Sequence, residues 1–120
     1  MVEHLKFIKN LKIDLYADTA NLTEIKKLNT FGYIKGYTTN PTIIKNNNIK
    51  NYSSFAKKMI KIANHKPVSF EVISDDLFEI EKQAHKISSW GKNVYVKIPI
   101  TNTKKISTID IIKNLNKNRI

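Results

Sequence analysis

Asn93-Val94-Tyr95-Val96-Lys97-Ile98-Pro99-Ile100-Thr101 is the stretch of sequence that decides the fold. Apolar residues alternate with Tyr95 and Lys97, and this period of two predicts a buried β-strand with one apolar face. Pro99 has no amide N–H to donate to a sheet, so the strand is predicted to end there. Lys97 is therefore placed near the carboxyl end of an apolar strand.

Lys97 has two interpretations in this position. Removing an ammonium group from water is costly, so burial at the strand end would favour the neutral amine. A neutral lysine amine can attack a carbonyl carbon and form a Schiff base. In the alternative, the side chain reaches water from the strand end and has no chemical role. Lys97 by itself does not distinguish these two interpretations, so the evidence has to come from the rest of the chain.

Three further strands are predicted before the lysine strand. They cover residues 13–18, 34–39 and 68–72, and in each one side of the strand is apolar. A stripe of apolar residues at helical spacing follows every strand. Strands that alternate with helices indicate parallel βαβ units, and no linker or change of composition divides them.

The predicted helices begin with recognisable signals. Asn21-Leu22-Thr23-Glu24 and Asp76-Leu77-Phe78-Glu79 are capping boxes, in which the first residue caps the helix and the glutamate returns a hydrogen bond. A third helix is predicted to start at Ser53 or Ser54 and to run to about Asn64. The four strand–helix units follow one another without interruption.

Three further elements are predicted: the last helix, the turn after the second strand and the amino-terminal segment. Ser107 or Thr108 starts the last helix, whose predicted inward residues are Ile109, Ile112 and Leu115. Asn40-Pro41 ends the second strand in a polar turn. Residues 1–12 form an amino-terminal extension that contains a short amphipathic helix, and residues 13–120 form the domain.

Composition excludes several function classes. The 120 residues carry a net charge of +11, but 20 of the 21 basic residues are lysine, accompanied by 14 Asn and 19 Ile. This joint enrichment indicates coding bias, and proteins that read nucleic acid rely more on arginine and aromatic side chains. We therefore expect no nucleic-acid partner. The chain has no cysteine and three widely spaced histidines, so we also expect no metal site.

No apolar run approaches the roughly 20 residues that a membrane helix needs. The first eleven residues lack the apolar core of a secretory signal. We therefore expect a cytoplasmic protein with no membrane partner.

Polar side chains collect at the carboxyl ends of the predicted strands. Asp18, Glu71 and Lys97 lie on the faces opposite the apolar ones, and the second strand ends in Thr38 and, after Thr39, Asn40. Each has an ordinary explanation, since Asp18 can cap a turn, Glu71 can be a surface acid and Asn40 can be a turn residue. In a parallel barrel, however, these ends form the floor of the active site. Their coincidence indicates amine catalysis by a lysine with carboxylates that move protons.

At this point the sequence resembles a known family, the small transaldolases and fructose-6-phosphate aldolases. The Thr-Thr-Asn-Pro and Val-Lys-Ile-Pro motifs are specific, and the matching segments occur in the family's order from about residue 13 to residue 120. The segments that carry the resemblance are Leu15-Tyr16-Ala17-Asp18-Thr19-Ala20-Asn21, Gly36-Tyr37-Thr38-Thr39-Asn40-Pro41-Thr42-Ile43-Ile44, Ser69-Phe70-Glu71-Val72 and Val94-Tyr95-Val96-Lys97-Ile98-Pro99-Ile100-Thr101.

The resemblance implies an α/β fold, a parallel (β/α)8 TIM barrel of the class I aldolase type, with no metal and no organic cofactor. Lys97 matches the Schiff-base lysine, and Asp18 matches the acid that assists proton transfer during carbon–carbon cleavage. Thr38 and Asn40 match residues that bind the dihydroxyacetone portion of the substrate. Glu71 matches the position that orients the catalytic water, which is glutamate in transaldolases and glutamine in the aldolases.

The implied reaction transfers a dihydroxyacetone unit from a ketose phosphate to glyceraldehyde 3-phosphate in the pentose phosphate pathway. Glu71 favours this transfer over the alternative, an aldolase cleavage that releases free dihydroxyacetone. The sugar phosphates would be the small-molecule partners of the protein.

The sequence departs from the family in length. A complete barrel has eight βα units in about 250 residues, whereas this sequence supplies the first four. We expect a fragment of a longer protein, with two alternatives: a partner that supplies the other half, or self-association of two half-barrels. We expect the isolated chain to be inactive, and a non-catalytic half-barrel is a further alternative.

Overall fold

The computed structural model describes residues 2–120, with side chains described from Lys6 onward. Its centre is one sheet of four parallel strands in the order β1-β2-β3-β4. The strands are β1 (Leu15–Asp18), β2 (Ile34–Thr38), β3 (Val68–Glu71) and β4 (Val94–Lys97). All four were predicted from the period of two, although β3 and β2 each end one residue earlier than expected.

Helices follow every strand, so the described residues contain four successive βα units. This confirms the predicted α/β fold and is consistent with the first half of a (β/α)8 barrel. No helix within residues 2–120 combines the length and apolarity that crossing a bilayer requires. The helices are α1 (Val2–Lys9), α2 (Leu22–Leu28), α3 (Pro41–Asn46), α4 (Tyr52–Ala63), α5 (Leu77–Ser88) and α6 (Ile109–Lys117).

The core lies between the apolar face of the sheet and the helices. Val68 and Phe70 on β3 are completely buried, as are Ile25 on α2 and Met59 on α4. Tyr37 of β2 is also buried, and its hydroxyl donates a 2.6 Å hydrogen bond to Oδ1 of Asn29. The core therefore fixes the helices on one side of the sheet and leaves the opposite face to the polar residues.

Asn40-Pro41 is the start of a helix, which corrects the prediction of a polar turn. Asn40 is the N-cap of α3, and its Oδ1 accepts a 2.9 Å hydrogen bond from the amide of Ile43. Proline is well suited to the first helical position, because the amide that it lacks has no partner there. The same two residues therefore suit a turn and a helix start equally well in the sequence.

Asn51 caps α4 by accepting a 2.8 Å hydrogen bond from the Ser54 amide. The prediction that Ser53 or Ser54 is the cap was wrong by two or three residues. Asparagine and serine have similar N-cap preferences, so the run Asn51-Tyr52-Ser53-Ser54 does not identify the cap by composition.

The two capping boxes form only in part. Asn21 and Asp76 cap their helices as predicted, accepting from the amides of Glu24 and Glu79 at 3.1 and 3.0 Å. The cap amides, however, donate to the preceding hydroxyls of Thr19 and Ser74. Each hydroxyl belongs to the residue two positions before the cap, and it accepts the hydrogen bond that the glutamate would accept in a complete capping box.

Helix α6 differs from its predicted orientation. Ile111 and Leu115 are buried, whereas Ile109 and Ile112, which were predicted to face inward, are 45% and 37% exposed. Helix α6 packs against α5, which covers only one of its sides. Strand β4 is likewise the last strand of the sheet, and Tyr95 is 62% exposed, so the strand is half-buried where a buried strand was predicted.

Candidate functional site

The carboxyl ends of the four strands bring the predicted polar residues to one face of the sheet. Asp18 and Thr38 are register partners on β1 and β2, and Glu71 and Lys97 are register partners on β3 and β4. Partners in a parallel ladder point to the same side of the sheet. The face is therefore lined by two pairs of polar side chains, one on each half of the sheet.

Lys97 makes two contacts at its ammonium group. Nζ donates a 2.8 Å hydrogen bond to the carbonyl oxygen of Thr39 and lies 3.6 Å from Oε2 of Glu71. The side chains of Lys97 and Glu71 are 38% and 20% exposed. The Lys97 side chain is thus partly exposed, and protein oxygens hold its nitrogen over the strand ends, so neither of the two interpretations of the lysine describes it fully.

The other pair lies on the first half of the sheet. The Thr38 hydroxyl donates a 2.8 Å hydrogen bond to Oδ1 of Asp18. This contact orients one carboxylate oxygen and leaves Oδ2 as an acceptor toward the open face. A carboxylate in this position can accept a proton from a ligand hydroxyl that lies over the sheet.

Asn40 lies directly after these strand ends, at the start of α3. Its Oδ1 is used in capping the helix, so Nδ2 is the group that can donate to a ligand. The cap also fixes the orientation of the amide. The structure thus brings Asp18, Thr38, Glu71 and Lys97 together on one face and places Asn40 at its rim.

Two residues that contact this site were missed by the sequence reasoning, Thr39 and Tyr52. Thr39 is completely buried, and its carbonyl is the acceptor for Lys97. The Tyr52 hydroxyl donates a 3.0 Å hydrogen bond to the carbonyl of Glu71. Thr39 could have been noticed because it stands beside Thr38, whereas nothing in the sequence around Tyr52 indicates its contact with β3.

Burial raises the pKa of the Tyr52 phenol to about 12. The hydroxyl therefore stays protonated, and remains a hydrogen-bond donor, throughout the physiological pH range. Among the side chains that the structure describes, from Lys6 to Ile120, no three of the His, Cys, Asp and Glu types come together as metal ligands would.

Two loops at the same edge of the sheet are joined by Asp75. Its carboxylate accepts hydrogen bonds of 2.7 and 2.6 Å from the amide and hydroxyl of Thr103, in the β4–α6 loop. These hydrogen bonds lower the pKa of the Asp75 carboxyl. The Asp75 carbonyl also accepts a 3.2 Å hydrogen bond from the side-chain nitrogen Nδ2 of Asn102. The loop that follows the lysine strand is thereby attached to the loop that follows β3.

Comparison with known proteins identifies the relatives of this chain. The protein-family model described as Transaldolase/Fructose-6-phosphate aldolase matches residues 15–120. A probable transaldolase of Dehalococcoides mccartyi is 38% identical over 103 residues, which are 86% of this chain and 46% of that protein. Probable transaldolases of Thermoplasma volcanium and Clostridium kluyveri are each 40% identical, over 72% of this chain and 40% of their own length. The chain thus spans less than half the length of these relatives.

Proposed function

The chain belongs to the transaldolase/fructose-6-phosphate aldolase family, and we propose that it takes part in the transfer of a dihydroxyacetone unit between sugar phosphates. In this proposal the unit is carried as a Schiff base on Lys97. The observation that carries the proposal is the placement of the Lys97 nitrogen 3.6 Å from the Glu71 carboxylate at the carboxyl edge of the sheet. The relatives are described as probable transaldolases, which supports the same reaction class.

The proposed reaction begins when the Lys97 ammonium gives a proton to Glu71 and the amine attacks the ketone carbon of a ketose phosphate. Glu71 returns the proton as water leaves the adduct, and the product is a protonated Schiff base, which withdraws electrons from the neighbouring carbon–carbon bond. Asp18 accepts the proton of the substrate hydroxyl, the bond breaks, and an aldehyde leaves. The three-carbon unit stays on Lys97 as an enamine, attacks the acceptor aldehyde, and is released by water.

The other predicted residues have supporting roles in this proposal. Glu71 holds and orients the water that is lost and later regained, and it balances the charge of the iminium ion. Thr38 and Asn40 bind the hydroxyls of the dihydroxyacetone unit. The alternative within the same family is cleavage that releases dihydroxyacetone, which would follow if water reached the enamine before the acceptor did.

We propose further that the active unit contains βα units beyond these four. Tyr16 and Tyr95 lie on the polar face of the sheet and are 48% and 62% exposed, and β1 and β4 each have an open edge. A cavity of about 270 Å³ beside β4 is lined by Val96, Ile98 and residues of α6. Exposed strand edges and apolar surface of this kind favour pairing with further strands. A longer chain, a separate polypeptide or a second copy could supply them.

Borohydride trapping tests the proposal. The chain is incubated with fructose 6-phosphate and sodium borohydride, alone and together with the unmatched carboxyl-terminal segment of the Dehalococcoides mccartyi relative. We expect a reduced sugar adduct on Lys97, with trapping strongest when the segment is present. Lys97→Met should abolish it. An adduct on another lysine, or no adduct in either mixture, would overturn the assignment.

A further inference from the structure

We infer that Tyr52 is a positioning residue for Lys97, because its hydroxyl is hydrogen-bonded to Glu71, whose carboxylate is one of the two partners of the lysine nitrogen. The other partner is the backbone carbonyl of Thr39. The inference deepens the proposed function, and it rests on that function only where it concerns the rate of Schiff-base formation. The placement of the nitrogen can be tested without any sugar.

The first connection runs through Glu71. Tyr52 donates a 3.0 Å hydrogen bond to the Glu71 carbonyl, and the carboxylate of the same residue lies 3.6 Å from Nζ of Lys97. Glu71 is the last residue of β3 and the register partner of Lys97. The hydroxyl therefore fixes the backbone from which the carboxylate extends.

The second connection concerns Thr39, whose carbonyl accepts the 2.8 Å hydrogen bond from Lys97. The amide and hydroxyl of Thr39 both donate to the Ser69 carbonyl of β3, at 3.1 and 2.9 Å. Tyr52 and Thr39 are thus both hydrogen-bonded to β3, and Lys97 reaches the same place from β4.

The ring of Tyr52 is held firmly enough to serve this purpose. It packs edge-to-face against Phe70 and Trp90, with ring centroids 6.0 and 5.2 Å away, and those two rings pack against each other at 5.6 Å. Such an arrangement favours one orientation of the ring. A tyrosine in this cluster could simply fill the core, but a core role needs the ring alone, whereas positioning Lys97 needs the hydroxyl.

Tyr52→Phe separates these two roles because it keeps the ring and removes the hydroxyl. The rate of acylation of each lysine by a small amine-reactive reagent is measured at pH 7.5 by peptide mass spectrometry. Lys82, whose ammonium lies 3.5 Å from the Glu79 carboxylate on the surface, is the internal reference. We expect Lys97 labelling to rise about fivefold relative to Lys82, the factor expected when one hydrogen bond is lost.

Tyr95→Phe is the matched control, since Tyr95 lies on β4 and is 62% exposed. It should change Lys97 labelling by less than about twofold. Unchanged labelling of Lys97 in Tyr52→Phe would overturn the inference. A rise at Lys82 and Lys97 together, with a lowered unfolding midpoint, would show general loosening of the fold and would overturn it as well.

Failure of sugar trapping in the wild-type chain would count against the proposed function and would leave this result on Lys97 unaffected.

Discussion

Lys97 and Glu71 face each other as register partners on adjacent parallel strands, with Nζ of the lysine 3.6 Å from Oε2 of the glutamate. The backbone register of β3 and β4 sets this proximity, so it does not depend on the conformation of a loop. Sites built on strands are held more precisely than sites built on loops. A ligand that binds over the polar face would therefore meet the lysine and the glutamate at a fixed spacing.

Glu71→Gln should reduce transfer more than cleavage. The amide keeps the size and hydrogen-bonding capacity of the side chain but removes the charge that is proposed to balance the iminium ion and to orient water. We expect the rate of dihydroxyacetone transfer to fall about 100-fold. Transfer and release of dihydroxyacetone are compared in the chain supplemented with the carboxyl-terminal segment of the relative. Glu79→Gln, on the surface of α5, should leave both rates unchanged, and equal rates in Glu71→Gln and wild type would remove Glu71 from the mechanism.

Gly36→Ala should destabilise the fold, whereas Gly32→Ala should not. A Cβ at Gly36 would overlap the Tyr16 ring and lie 2.7 Å from the Pro67 carbonyl, which accepts the Tyr37 amide between β2 and β3. We expect a loss of about 1–3 kcal/mol in the free energy of unfolding. Gly32 has no atom within 4 Å of the added Cβ. Urea unfolding measures both variants, and equal stabilities would contradict the close approach of β1 and β3 to Gly36.

Between about pH 10 and pH 12, the wild-type protein should lose more stability than Tyr52→Phe does. The pKa of Tyr52 is raised by burial from 10.0 to about 12, so the unfolded state ionises first as the pH rises. The neutral phenol therefore contributes fully to the free energy of unfolding below pH 10. This contribution, roughly 2–3 kcal/mol at most, is lost as the pH rises from 10 to 12. Urea unfolding at pH 9 and pH 11.5 gives the difference for each protein. Lysine titration affects both equally, so parallel losses would show that the phenol is not buried in its neutral form.

The Thr103 amide should report the titration of Asp75. Hydrogen bonds from Thr103 lower the pKa of the Asp75 carboxyl below 3.8, so the attachment between the two loops is complete above that pH and is lost as the pH falls through the lowered pKa. The amide proton shift of Thr103, followed by NMR from pH 7 to pH 2, should move with a midpoint below 3.8. Asp75→Asn should abolish this transition and Asp76→Asn should retain it. A midpoint above 3.8 would contradict the hydrogen bonds.

The local patterns of the sequence predicted most of the fold. Period-two alternation located all four strands, because one face of each strand packs on helices while the other carries polar residues. Asn21 and Asp76 were identified as caps because their side-chain oxygens can accept hydrogen bonds from the unpaired backbone amides of the first helical turn. Two predictions that were wrong, at Asn40-Pro41 and at Ser53 or Ser54, lie where one residue type suits several local structures. The inward face of α6 was also predicted wrongly, at Ile109 and Ile112, because α6 packs mainly on α5.

The sequence by itself determined that Asp18, Thr38, Glu71 and Lys97 share one edge of the sheet, because all four stand at the carboxyl ends of recognisable strands. Their partners were decided only by the tertiary structure. Lys97 donates to the carbonyl of Thr39, 58 residues away in the chain, and Tyr52 donates to the Glu71 carbonyl of β3 from the first turn of α4. Backbone carbonyls look alike in every sequence, and only the register and packing of the strands select the one that accepts from a given lysine.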